Sequence, residues 1–281
     1  MKVRHLGDTD FDVIMECFLS AFENYFVKMP TDHDYYRQRW KAAGVRYDLS
    51  YGMFDGHKLV GFIINAIDKR HGNHIAFNTG TGVISEYRGQ KIVNSIYDFA
   101  FPILKKEGII KCVLEVITVN ERAIKAYEGI GFRKTKHYKC YSGTINSEHN
   151  TGLELQEVQY DVIDWSTIPN QANYSWDFYR ESLEKGNSKY FFVNRNSNFE
   201  SFVAINPDNG TLNQLEVFTD KKDTWQRLFS AINSKYQNVR VINVDDKLTS
   251  KINAIESVGL ENTVDQFEME LFLVTEPVEV K

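Results

Sequence analysis

The sequence predicts a mixed α/β fold (α+β), arranged as two similar domains in tandem, each a mixed, mostly antiparallel sheet flanked by helices. Three observations predict it. The first half reads as β-α-α-β-β-β-α-β-α-β, ending near Tyr141. A small, polar stretch from Ser142 to Gly152 reads as a linker, which sets the expected domains at 1–145 and 153–281. The second half then echoes the first in one register, 128 residues on. Val113 to Val116 is matched by Val241 to Val244, and Ala126 to Phe132 by Ala254 to Leu260. A repeat of that length is a duplicated domain rather than a solenoid.

The elements follow from local pattern. A short strand around Val3 opens the chain. Asp8 or Thr9 caps a helix whose apolar residues Phe11, Ile14, Cys17, Phe18, Ala21 and Phe22 recur at the helical period. Asp34 to Lys41 reads as a second short helix, rich in Tyr and Arg. Leu49 to Phe54 and Leu59 to Ile67 are β-rich runs on either side of Asp55 and Gly56, a hairpin pair. Ile75 to Ile84 is extended, and Gly80 and Gly82 inside it mark a bulge or a close backbone approach. Arg88 and Gly89 turn the chain into a helix from about Lys91 to Lys106. One side of it carries Ile92, Ile96, Phe99, Ala100, Ile103 and Leu104, and Gly108 stops it. Ile109 to Ile117 is nearly all apolar, the pattern of a strand covered on both faces. Asn120 is a good N-cap for a helix through Glu128, Gly129 and Gly131 close it, and Phe132 to Tyr141 is a strand. In the second half, Tyr190 to Ile205 resembles the hairpin from Tyr51 to Asn65.

Composition excludes several classes. The 281 residues are 42% hydrophobic and 25% charged, which rules out a disordered chain. A net charge of −5 gives no overall attraction to nucleic acid or to an anionic membrane, and neither is expected as a partner. The halves differ: residues 1–150 carry a net +4 and residues 151–281 a net −9, so an anionic ligand is expected in the first. Cys17, Cys112 and Cys140 make no disulfide framework and suit a reducing cytoplasm. The first residues lack the apolar core of a signal peptide, and no apolar run nears the roughly 20 residues of a membrane helix. A cytoplasmic protein is expected. His71 and His74 are too isolated to argue for metal, and no metal is expected. The basic run Arg133, Lys134, Lys136, His137 and Lys139 reads as a solvated strand face.

Two segments carry chemistry. Thr79 to Lys91 runs from strand through a tight turn to a helix N-terminus, where backbone N–H groups and the positive end of the helix dipole suit a phosphate. It fits neither a P-loop nor a dinucleotide fingerprint. The second segment is Leu114 to Phe132. Asn120 and Tyr127, seven residues apart, share one helix face, and Glu115 lies on the preceding strand.

Together these segments resemble the GNAT family of acyl-CoA-dependent N-acetyltransferases. Tyr87, Arg88, Gly89 and Gln90 resemble the family's pyrophosphate loop. Asn120 to Phe132 resembles its later cofactor and catalytic segment, and the likeness covers about residues 1–141. The resemblance implies two GNAT-like domains in tandem, with acetyl-CoA as co-substrate. It implies acetyl transfer to a primary amine of a small molecule or peptide by direct attack. It implies that the backbone of Thr81, Gly82 and Val83 pairs with pantetheine. Gly89, Gln90, Lys91, Ile92, Val93 and Asn94 would cradle the pyrophosphate, with Arg88 part of the same cofactor set. Asn120 would contact the cofactor, and Tyr127 would sit by its sulfur.

The sequence departs from the family at two points. Lys91 and Val93 stand at the two positions where the family's loop carries small residues, usually glycine. Lys91 adds a positive charge, and the branched Val93 is expected to crowd the loop. In the second half the Arg-Gly turn is missing, Ile255 stands for Tyr127 and Leu248 for Asn120. That half resembles a degenerate GNAT domain without a cofactor of its own.

Acyl transfer from a thioester to an amine needs a deprotonated amine, a stabilised oxyanion and a thiolate able to leave. A lysine-like amine with a pKa near 10.4 is free base in only about one molecule in 10³ at pH 7. Glu115 is the candidate base, directly or through water, at a position matching a carboxylate in GNAT enzymes that acetylate ribosomal-protein N-termini. Its other reading is a structural ion pair on the opposite strand face. Tyr127 is the candidate acid, and backbone N–H groups near Val83 the oxyanion site. Phe22, Tyr25, Phe26, Tyr35 and Tyr36 are candidate walls for the acceptor. Two rival readings stay open in the sequence: a non-catalytic acyl-CoA-binding or sensor module, and a structural pair whose second half makes a homodimer. The amine itself is not identified.

Overall fold

A computed structural model of the chain describes residues 1–70, 72–146, 153–195 and 198–274. The chain forms two compact units. One comprises Met1–Thr135 with the chain from Phe267 onward, the other Lys136–Gln266.

The first unit contains β1 (Lys2–His5), α1 (Phe11–Ala21), α2 (His33–Ala43), β2 (Tyr51–Asp55), β3 (Lys58–Arg70), β4 (Asn73–Val83), α3 (Ile92–Lys106), β5 (Lys111–Ile117), α4 (Glu121–Ile130) and the start of β6 (Arg133–Thr144). This is the expected order of elements. The second unit takes the rest of β6, then β7 (Leu155–Val158), α5 (Arg180–Lys185), β8 (Lys189–Arg195), β9 (Asn198–Asn206), β10 (Thr211–Val217), α6 (Lys222–Asn233), β11 (Asn238–Asp245), α7 (Thr249–Ser257) and β12 (Glu261–Asn262). The last strand, β13 (Gln266–Phe272), carries the chain back into the first unit.

In the first unit the strand order is β1-β2-β3-β4-β5-β13, ending on the first residues of β6. Neighbours from β1 to β4 are antiparallel, and β4 and β5 are parallel. Strand β13 is tied to its neighbours by an ion pair between Lys111 and Glu270 at 2.6 Å and by a bond from Leu273 N–H to the Ile110 carbonyl at 2.8 Å. The expected division at 145/153 is corrected accordingly. Local pattern along the chain cannot reveal that its last strand pairs with one some 150 residues earlier. The expected linker is also shorter. Ser142 to Thr144 belong to β6, and the next two residues are hydrogen-bonded, Ile145 N–H to Gln237 O and Asn146 N–H to Val258 O. His71 and residues 147–152 lie outside the described residues.

Opposite sheet faces are covered by different helices. Helix α1 buries Ile14, Met15, Cys17, Phe18 and Ala21. The Phe18 ring meets Phe62, Tyr36 and Trp40 at centroid distances of 5.6, 4.8 and 5.5 Å, an aromatic cluster of the kind that adds about 1 kcal/mol per pair to plain burial. Gly82 permits this close packing, since a Cβ there would lie 2.7 Å from Phe62 and 2.8 Å from Ala21. Helix α3 covers the other face with Ile92, Ile96, Tyr97, Ala100 and Leu104. Phe99, expected on the apolar side, is instead 43% exposed, its ring edge against Tyr51.

The second unit repeats the succession three strands, helix, strand, helix. Its order is β6-β11-β10-β9-β8-β7, with β9 antiparallel and β11 parallel to β10. Each unit also carries a one-residue bulge at the same place. Ile64 faces Gly80 and Asn65 faces Asn78, so Thr79 is the extra residue in β4. Ile205 faces Leu212 and Ala204 faces Gln214, so Asn213 is the extra residue in β10.

Candidate active site

The site of the first unit is made by two strands that part. β4 and β5 pair only from Ile75 with Lys111 to Asn78 with Leu114. Beyond that point β4 bulges at Thr79 and stays paired to β3 alone. Ile84 N–H donates to Val60 O in the β3–β4 register, so that pair exchanges bonds, and Thr81 and Val83 turn their backbone groups to the other edge. That edge faces the gap that β5 has left. The two glycines thus signalled a real irregularity, although the extra residue is Thr79.

Side chains sort to the two faces of the gap. Cys112 faces Tyr97 of α3, and Asn78 bonds to the same tyrosine. Side chains alternate along a strand, so Cys112, Leu114 and Val116 share the α3 face and Glu115 points to the face that α1 covers. Tyr127 of α4 lies on the α3 face, with Phe132 between it and Tyr97 at centroid distances of 5.8 and 5.4 Å.

Asn78, Thr81, Tyr97 and Tyr127 form one polar cluster. The Asn78 amide donates to Thr81 Oγ1 and to the Tyr97 hydroxyl, each at 2.6 Å, and its oxygen accepts from Gly80 N–H at 3.0 Å. Burial pushes the Tyr127 phenol up to about 12, opposed by a hydrogen bond from Thr81. Burial also holds Tyr97 well above the usual phenol range. Both are therefore neutral at physiological pH. Sequence reading named Tyr127 but missed Asn78 and Tyr97, because only the bulge brings Asn78 and Thr81 to one point.

Asn120 caps α4, as its residue type predicts: Oδ1 accepts from Ala123 N–H at 3.2 Å. Its side chain also hydrogen-bonds Tyr25, whose phenol burial pushes upward. The Asn120 side chain is thus committed to protein partners. Among the candidate walls, Tyr36 is fully buried in the core and is no wall, whereas Phe26 and Tyr35 are exposed.

The turn before α3 is open. Gly89 has φ 82° and Lys91 φ 55°, so Lys91 adopts the left-handed conformation that glycine takes most easily. The first helical bond runs from Ser95 N–H to Lys91 O. No side chain caps the helix and no acidic residue stands in its first turn, so the N–H groups of Ile92, Val93 and Asn94 lack helical acceptors. Arg88 is placed differently from expectation. Its guanidinium donates to Val83 O at 3.1 Å and to Ala21 O at 2.8 Å, bracing the loop against the end of α1. Val93 packs against the core instead of crowding the loop, and Ile92 is buried beside it.

The corresponding place in the second unit is filled. Counted from the two bulges, Glu216 stands where Gly82 stands. It pairs with Lys251 at 2.5 Å, both side chains being at most 3% exposed, and accepts from Tyr174 at 2.6 Å and Asn170 at 2.9 Å. The position of Glu115 is taken by Asn243, at φ 60°, whose side chain bonds Ser175 and Gln266. Among the described residues of the chain, no group of three or more His, Cys, Asp or Glu is placed to hold a metal, and no helix is long and apolar enough to cross a membrane.

Residues 12–132 match the model of the Acetyltransferase (GNAT) family. This part of the chain is a GNAT acetyltransferase domain. The chain is 28% identical over 96 residues to N-alpha-acetyltransferase 30 of Schizosaccharomyces pombe, a match spanning 34% of this chain and 64% of that relative. Solved structures agree over the whole length. A GCN5-related N-acetyltransferase from Sphaerobacter thermophilus has a TM-score of 0.71 at 9% identity, covering 98% of this chain and 96% of that one. A tandem GNAT protein from the clavulanic acid biosynthesis pathway has a TM-score of 0.65 at 10% identity, covering 98% and 99%. The fold is thus the GNAT-like tandem of mixed, mostly antiparallel sheets flanked by helices.

Proposed function

We propose that the first unit transfers an acetyl group from acetyl-CoA to the primary amine of a small molecule or peptide by direct attack. The observation that carries this reading is the parting of β4 and β5 just beyond Asn78, with Tyr127 on one face and Glu115 on the other. A thioester carrier lying in that gap would meet the backbone of Thr81, Gly82 and Val83. Its pyrophosphate would rest on Gly89, Gln90, Lys91 and the N–H groups of Ile92, Val93 and Asn94, where the dipole of α3 favours negative charge. The structure supports Arg88 as a brace of this loop, not as a phosphate ligand.

The chemistry follows from the two faces. Glu115 accepts the proton of the attacking amine, directly or through water. The Val83 N–H, turned to the gap, stabilises the oxyanion. Tyr127, kept neutral by burial, donates to the departing sulfur. The second unit is a degenerate copy without a cofactor, which its buried Glu216–Lys251 pair, Leu248 and Ile255 all support. All three cysteines are buried, and among the described residues none forms a disulfide, in keeping with a cytoplasmic protein. Calorimetric titration with acetyl-CoA tests the reading. One site per chain is expected, and two sites or none would overturn it. A thiol-release assay over amines then separates an enzyme from a sensor.

A further inference from the structure

The bonding of Asn78 has only one consistent direction. Gly80 N–H is a donor, so the Asn78 atom it meets at 3.0 Å is the amide oxygen. The amide nitrogen then has two hydrogens and two acceptors before it, Thr81 Oγ1 and the Tyr97 hydroxyl oxygen, each at 2.6 Å. One hydrogen goes to each. Asn78 and Tyr97 are only 7% and 1% exposed, and a satisfied buried network of this kind rigidifies what it joins.

The two acceptors belong to different parts of the cofactor surface. Thr81 is the first residue past the bulge whose backbone turns to the gap. Tyr97 lies on α3, one turn after Ile92, Val93 and Asn94, whose N–H groups open that helix. Asn78 itself is the last residue of β4 paired to β5. The second unit shows what the amide is not needed for. Counted from the two bulges, Leu212 stands where Asn78 stands, and β10 still carries its extra residue, Asn213. An apolar side chain is thus enough for the bulge. The amide is absent from the unit whose corresponding place is filled by Glu216 and Lys251.

We propose that Asn78 is a positioning residue for acetyl-CoA, tying the β4 edge at Thr81 to α3 at Tyr97 and so fixing the spacing between the surface that meets pantetheine and the surface that meets the pyrophosphate. The proposal rests on the acetyl-CoA reading of the gap. A carrier that touches both surfaces at once gains from their fixed spacing, because its second contact is made without a further search. A fragment that touches one surface gains nothing from it.

The test titrates three ligands into the full chain: acetyl-CoA, acetylpantetheine and adenosine 3′-phosphate 5′-diphosphate. The first spans both surfaces and is followed by calorimetry. The other two reach one surface each and are followed by ligand-detected NMR. Asn78→Leu cuts the tie with the residue that the second unit uses. It should raise the Kd of acetyl-CoA at least about tenfold and leave that of each fragment within about twofold. Tyr97→Phe keeps the ring against Phe132 and cuts the tie at α3. It should give the same pattern, and it serves where Asn78→Leu does not fold. The double variant should bind acetyl-CoA within about twofold of Asn78→Leu alone, since both changes remove one tie. Acetyl-CoA affinity unchanged in both single variants overturns the proposal and leaves the cofactor reading standing. Fragments weakened as much as acetyl-CoA also overturn it, since that marks a damaged surface and not a lost spacing. A parent chain that binds no acetyl-CoA overturns the cofactor reading, and the proposal with it.

Discussion

Asn120 and Leu248 hold the same backbone conformation, φ −86° and ψ 62° in one, φ −85° and ψ 58° in the other, each at the N-cap of the helix after the fourth strand of its unit's repeat. Only Asn120 has a side-chain oxygen to cap with. The second unit retains the turn without the chemistry, and Leu248 packs on its hydrophobic core instead.

Asn120 therefore has two separable roles. Asn120→Ala removes both and should cost about 1 kcal/mol of stability, read by urea denaturation. Asn120→Asp still accepts from Ala123 N–H but cannot donate to Tyr25. It should stay within about 0.5 kcal/mol of the parent while raising KM for the amine.

Arg88 braces two backbone carbonyls. Arg88→Ala should lower stability by about 1 kcal/mol, the net value of exposed and half-buried bonds of this kind. The salt dependence of acetyl-CoA binding should not change. A flatter salt dependence would return Arg88 to the phosphates.

Lys91 occupies a left-handed position. Lys91→Gly should hold or raise stability, by up to about 1 kcal/mol, because glycine takes that conformation without a Cβ clash. Lys91→Val should lower it by about 1–2 kcal/mol. Thermal unfolding of the pair reads the difference.

The buried pair in the second unit is sensitive to single loss. Lys251→Met leaves Glu216 buried with only Tyr174 and Asn170, and should destabilise that unit by about 3 kcal/mol or more. Adding Glu216→Leu should recover much of the loss, measured by denaturant unfolding.

The pH profile of kcat follows from Tyr127. Burial raises its phenol to about 12, above the ordinary value of 10, so the proton it donates is retained as pH rises. The profile should climb as the amine and its base deprotonate and then level, with no fall attributable to Tyr127 below about pH 10.

Much of the first unit was legible because its signals are local. Element order, the Asp55–Gly56 hairpin, the cap at Asn120 and the turn at Gly89 each depend on residues close in sequence. What escaped depends on distant partners. Arg88 bonds a carbonyl 67 residues away, and β13 pairs with β5 across most of the chain. Asn78 carried no signal of its own, since a one-residue bulge decides which side chains meet Thr81. Val93 was misjudged because a glycine position in a loop motif says nothing of the side chain's direction once the helix has begun.

The most direct test is turnover of Tyr127→Phe beside the parent enzyme, by release of free thiol from acetyl-CoA with an accepted amine. The phenol gone and the ring retained, kcat should fall at least about tenfold while acetyl-CoA binds as before. Equal turnover in the two proteins would contradict the account.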